Sequence, residues 1–193
     1  MPEAALRWAA RGGFAGLLAL GLTQLTAEPT TPVAPAPAAA AARVTGSFRL
    51  AGVPAGAVRS MLNIRERMRF GHYVWNDEGV PPGRLWVRVD RAAQIASVFR
   101  GPHEIATAVV LYGAPEKPTP AGRYPIRGKE RLHMSRAYGA EMPYTLWLTS
   151  DGVALHAANV REGAATHGCI GLPRDFARRL FDIARKGDPV IIV

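Results

Sequence analysis

The sequence predicts a mostly β domain with one short helix near its C-terminal end and a second helical stretch ahead of it. Three observations predict this. The 193 residues hold 20 Gly and 16 Pro, so turn-formers leave room only for short elements. Apolar residues fall in short or alternating runs, as in Leu146-Trp147-Leu148-Thr149 and Val153-Ala154-Leu155-His156, the period expected of strands. After Pro173 the pattern changes: Phe176, Leu180 and Ala184 recur every fourth residue. Pro173 suits a first helical turn and Gly187 a stop.

Composition is that of one ordinary globular domain, 48% hydrophobic and 20% charged, which argues against wholesale disorder. The formal charge of +9 suits either nucleic acid or an anionic wall or membrane surface. The arginines (Arg84, Arg88, Arg91, Arg100, Arg123, Arg131, Arg161, Arg174) are scattered and form no stripe. With no recognition helix, finger or RNA-binding signature, no nucleic-acid partner is expected.

The first 27 residues read as an export signal. Arg7 and Arg11 precede an uncharged apolar run, Gly12 to Leu22, and Leu25-Thr26-Ala27 offers a small residue at the cut. The run is shorter than the ~20 residues of a span, so cleavage is favoured over anchoring. Removal takes off two arginines and one glutamate and leaves +8. Residues 28–42, rich in Ala and Pro, form an extended linker, which would act as a membrane tether if the N-terminus stayed uncleaved. Residues 43–83 form an N-terminal extension. Within it Val58, Met61, Leu62, Arg65 and Met68 trace a rough helical face between Pro54 and Gly71, read as a helix covering an edge strand. A short strand at 72–76 and a turn at 81–83 follow.

Cys169 is the sole cysteine. In an exported protein it has no intramolecular partner, so it is either inert or kept because it reacts. It lies in Thr166-His167-Gly168-Cys169-Ile170-Gly171, just ahead of the predicted helix, whose dipole would favour the thiolate. Two histidines are candidate proton acceptors. His167 stands two residues upstream, and His156 ends a hairpin that turns at Asp151-Gly152. His133, His156 and His167 lack metal-ligand spacing, and one cysteine builds no structural zinc site.

His156 followed by Thr166-His167-Gly168-Cys169 and an apolar residue resembles the signature of the L,D-transpeptidase catalytic domain. The resemblance extends over residues 84–193. Arg84 to Val89 resembles the opening strand, and Ile105 to Val110 the strand leading to a Pro-Thr-Pro-x-Gly turn, here Pro118 to Gly122. Tyr124-Pro125-Ile126, Met142-Pro143-Tyr144 and Gly187 to Ile192 follow in the family's order.

The resemblance implies a sandwich-like β fold and a monomer without cofactor or metal in the periplasm or cell envelope. Its partners would be peptidoglycan tetrapeptide stems, as donor and acceptor. Cys169 would be the nucleophile and His156 the base and acid, oriented by the main-chain carbonyl of Ala157. His167 and Thr166 would lie beside the substrate, and the N–H groups of Gly168 and Cys169 would bind the oxyanion. Three features depart from the family pattern. Gly171 stands where Arg or Asn is common, Ala157-Ala158 where Gly or Ser is usual, and only twelve residues (157–168) separate His156 from Cys169. Water in place of the acceptor amine would make the chain an L,D-carboxypeptidase, and an unreactive thiol would leave a wall-binding module. A papain-like arrangement is disfavoured because the candidate base precedes the nucleophile.

Overall fold

Strand alternation organises most of the chain. The computed structural model describes residues 41–193; the expected export signal (1–27) and nearly all of the linker (28–42) lie outside the described residues. β4 (Leu85–Asp90) buries Leu85, Val87 and Val89, while β5 (Ile95–Arg100) and β6 (His103–Val109) are buried on consecutive residues. That is the pattern of central strands covered on both faces. They pair antiparallel, and β12 (Pro189–Ile192) joins parallel to β4 and antiparallel to β7 (Gly122–Pro125).

A second, four-stranded sheet runs in the order β11 (Ile170–Leu172), β10 (Ala154–Ala157), β9 (Ala140–Trp147), β8 (Gly128–Ser135). One hydrophobic cluster draws Val87, Val98 and Ile105 from the larger sheet and Leu146, Leu155 and Ile170 from the smaller. The two sheets share this core, and the fold is mostly β, as expected.

The helix after the cysteine is present as α1 (Arg174–Ile183), with Phe176, Ala177, Leu180 and Phe181 buried. Pro173 is its N-cap residue, with φ −53°. The helix ends at Ile183, ahead of Gly187, whose positive φ of 91° instead serves the turn into β12. No basic residue lies in the last turn of α1; Lys129 of β8 supplies one, its ammonium donating to the carbonyls of Phe181 and Ala184. A cation there offsets the negative end of the helix.

The extension corrects the sequence reading. Residues 43–83 carry no helix; they form β1 (Arg43–Phe48), β2 (Val58–Leu62) and β3 (Tyr73–Trp75). β1 and β2 pair, β2 touches β6 at Ser60↔His103, and β3 lies antiparallel on β6. Val58, Ser60 and Leu62 are the inward residues of β2, a period of two hidden because one of them is polar. The Ser60 hydroxyl pairs with His103 Nδ1 at 2.8 Å. The edge is therefore extended by strands rather than covered by a helix. Arg43 anchors this addition on the carbonyls of Glu104 (2.6 Å) and Asn76.

Phe176 ties the helix to the extension: it is fully buried and meets Tyr73 and Trp75 edge-on at 5.9 and 5.6 Å between ring centroids. Phe176→Ala is expected to cost about 3–5 kcal/mol of unfolding free energy in urea titration. A loss under about 1 kcal/mol would contradict this packing.

Candidate active site

The site is built on the pairing of β10 with β11. These two short strands run parallel, with Leu155 opposite Ile170, His156 opposite Gly171 and Ala157 opposite Leu172. Paired residues share a face and successive residues alternate. Leu155, Ile170, Ala157 and Leu172 are therefore the core face, and all four are buried. The other face presents His156 and the position of Gly171, and Cys169, two residues earlier, leaves on that same side. A strand spacing of about 4.8 Å and a two-residue rise of about 6.6 Å put the Cα atoms on a diagonal of about 8 Å.

His156 and Cys169 both line a cavity of about 660 Å³, within the range of small-ligand clefts. Its wall is continued by the β8–β9 hairpin (Ser135, Arg136, Tyr138, Met142), the turn at Asp151-Gly152, and the loop from Ala158 to His167. Lys117, Arg136 and Arg161 outnumber Asp151 and Glu141 among its charged side chains, so the cleft favours anionic groups.

The His156 ring is held at one nitrogen. Nδ1 lies 2.9 Å from the carbonyl oxygen of Ala157; a carbonyl only accepts, so Nδ1 carries the proton and Nε2 is left as the basic atom. Burial lowers the pKa of His156, opposed by that hydrogen bond. The imidazole is thus neutral near pH 7.

Cys169 is half-buried and its Sγ–H donates to the Gly152 carbonyl at 3.4 Å. Burial raises the thiol pKa, partly offset by the Ala154 N–H and the charge of Lys117. The expectation of a thiolate supported by a helix dipole is therefore corrected. β11 separates Cys169 from α1, whose first residue is Arg174, and a dipole effect fades within a turn. At rest the sulfur is a protonated thiol.

The other expected residues fall around this pair. Thr166 Oγ1 donates to the Cys169 carbonyl at 2.5 Å. Gly168 has φ +101°, a conformation that a side chain resists. The exposed His167 ring stacks on Tyr138 at 4.1 Å and 15°, and Lys117 Nζ donates to the Tyr138 hydroxyl at 3.0 Å. The approach of Lys117, Tyr138 and Gly152 to Cys169 was not legible in the sequence, although Gly152 was expected at the hairpin turn. A Cβ at Gly171 would stand 2.9 Å from the Ala158 Cβ and 3.3 Å from that of Leu111. Gly171 and Ala158 are thus one packing solution: the methyl of one fills the space beside the other. Among the described residues no group of three His, Cys, Asp or Glu side chains is placed to hold a metal ion.

Comparison with known proteins gives concordant matches. The profile of the family described as YkuD, the L,D-transpeptidase catalytic domain, matches residues 84–192. L,D-transpeptidase 1 of Mycobacterium tuberculosis is 32% identical over 119 residues, which are 53% of this chain and 47% of that protein. The chain therefore spans about half the length of the curated relatives it matches. An L,D-transpeptidase solved in complex with imipenem is 28% identical with a TM-score of 0.52, covering 57% of this chain and 59% of that one. The L,D-transpeptidase structure from Stackebrandtia nassauensis, at 24% identity and a TM-score of 0.54, covers 61% and 60% and bears on the fold alone.

The protonated thiol has a measurable consequence. Iodoacetamide should alkylate Cys169 along a pH curve displaced above the ordinary cysteine titration near 8.5, and Lys117→Met should displace it further upward. A curve at or below the ordinary position would contradict the burial described.

Proposed function

The chain belongs to the YkuD family of L,D-transpeptidase catalytic domains, and on that premise we propose that it is an exported cysteine acyltransferase acting on peptidoglycan stem peptides. The observation that carries the proposal is the shared cleft face of His156 and Cys169, with the imidazole oriented by the Ala157 carbonyl.

A tetrapeptide stem enters the cleft as donor. His156 Nε2 takes the Sγ proton of Cys169 as the sulfur attacks the carbonyl of the diamino acid. The oxyanion so formed is bound by main-chain N–H groups of Gly168 and Cys169. The imidazolium returns its proton to the amine of the departing D-alanine, the C–N bond breaks, and a thioester remains. An amine from a second stem then attacks, His156 removes its proton, and the thiol is regenerated. The basic balance of the cleft suits the carboxylates of a stem peptide, and the stacked His167 and Tyr138 form part of its wall. Export, read in residues 1–27, brings the enzyme to its substrate in the periplasm or cell envelope.

Because the thiol starts protonated, a neutral His156 is required for attack. The rate should fall on the acid side as His156 protonates, and since its pKa is lowered, that limb should lie below the ordinary histidine value of about 6.5. A pH–rate profile of kcat/KM checks this; an acid limb above 7 would oppose it.

Incubating the full chain with disaccharide-tetrapeptide should yield cross-linked dimers and free D-alanine. Tripeptide without dimers would mean water is the acceptor and the activity is an L,D-carboxypeptidase. Cys169→Ala should abolish both products, at least 10³-fold, with an unchanged circular dichroism spectrum. Equal turnover by wild type and variant would defeat the proposal. The relative bound to imipenem further supports acylation of Cys169 by that carbapenem, read by intact mass.

A further inference from the structure

We propose that Thr119 is a positioning residue for oxyanion stabilisation: its buried hydroxyl sets the Gly168–Cys169 peptide so that the Cys169 N–H faces the cleft. The inference rests on Cys169 being the acylated residue, as argued above.

Thr119 is 1% exposed and sits behind the cysteine loop, outside the cleft wall. Its Oγ1 accepts the N–H of Gly113 at 2.8 Å. The Gly168 carbonyl lies 3.0 Å and the Cys169 carbonyl 3.3 Å from the same oxygen. A hydroxyl has one proton to give. With Gly113 donating to the oxygen, that proton is left for these two carbonyls. The Cys169 carbonyl already receives the Thr166 hydroxyl at 2.5 Å, so the nearer Gly168 carbonyl is the acceptor that depends on Thr119.

The peptide plane converts this bond into an orientation at the site. In a trans peptide the C=O and the following N–H point in opposite directions. Holding the Gly168 oxygen back against Thr119 turns the Cys169 N–H forward, towards the space before the sulfur. The φ of +101° at Gly168 allows this arrangement, and without the hydroxyl the same freedom would let the plane rotate. Thr119 is itself held in place. A Cβ on Gly113 would stand 2.2 Å from the Lys117 oxygen and 2.6 Å from the Thr119 nitrogen, so only glycine lets the 117–119 turn pass so close.

The test uses two reactions of one sulfur in the full chain. Acylation by imipenem opens the lactam: a C–S bond forms, the C–N bond breaks, and the ring nitrogen takes a proton. It passes through a tetrahedral oxyanion. Alkylation by iodoacetamide displaces iodide and forms no oxyanion. Thr119→Val should slow acylation on the order of 10- to 100-fold and leave alkylation within about 2-fold. Thr119→Ser, which keeps the hydroxyl, should return acylation to within about 3-fold of wild type. If the Val variant fails to fold, Thr119→Ala is the second variant, with the same split expected.

Acylation within 2-fold of wild type in the Val or Ala variant, a parallel fall of both reactions, or no rescue by Ser would each overturn the proposal. The reading on which it rests fails differently. A wild-type chain whose Cys169 forms no imipenem adduct overturns both. One that shows the Thr119 split but leaves tetrapeptide untouched overturns the substrate assignment alone.

Discussion

The site depends on the in-register parallel pairing of β10 with β11. The pairing is three residues long, yet it decides two things at once. It turns Leu155, Ala157, Ile170 and Leu172 into the core, where they share a cluster with Phe176 and Leu180 of α1. It thereby turns His156 and Cys169 outwards, on a common face. A slip of one residue in β11 would turn Ile170 and Leu172 away from the core and carry Cys169 to the face opposite His156. The hydrophobic core thus holds the strand register that sets where His156 stands, and stability and geometry are the same constraint seen from opposite faces of the sheet.

Partial burial then sets the chemistry available. It disfavours charge on both partners, lowering the pKa of His156 and raising that of Cys169. The resting pair is a neutral imidazole and a neutral thiol, in contrast to a preformed thiolate–imidazolium ion pair. On the proposed reading, proton transfer accompanies attack. Two main-chain carbonyls prepare it: that of Ala157 fixes the tautomer of His156, and that of Gly152 receives the thiol proton at rest. The Ala157 carbonyl orients the His156 ring and the Gly152 carbonyl accepts from the thiol, so the immediate partners of the two side chains add no negative charge to the cleft.

The legible part of the molecule was the part encoded locally. The hairpin with Asp151-Gly152 at its turn and the helix face of Phe176 and Leu180 carry their own turn chemistry or period, while the strands expected at 84–89 and 105–110 from the family likeness are found as β4 and β6. The Thr-His-Gly-Cys run carries the family likeness. The extension was misread because Ser60 occupies an inward strand position, and its polarity broke an alternation that only its bond to His103 explains. The roles of Lys117, Thr119, Tyr138 and Gly152 at the site stayed hidden for a different reason. They follow from turns that converge only once the sheets are paired, and no short window of sequence contains that. The thiolate expectation failed on distance: the strand between Cys169 and α1 adds three residues, enough to remove the dipole from play. Gly171, which stood out as a departure, proved to be half of a pair with Ala158.

The pairing of His156 with Cys169 is most directly tested by trapping the acyl-enzyme. Wild type and His156→Ala would be mixed with tetrapeptide donor, quenched in acid over a time course, and digested for peptide mass mapping. The account predicts a tripeptidyl thioester on the peptide containing Cys169, formed at least 10²-fold more slowly in the variant. An adduct on any other residue, or acylation of His156→Ala at the wild-type rate, would contradict it.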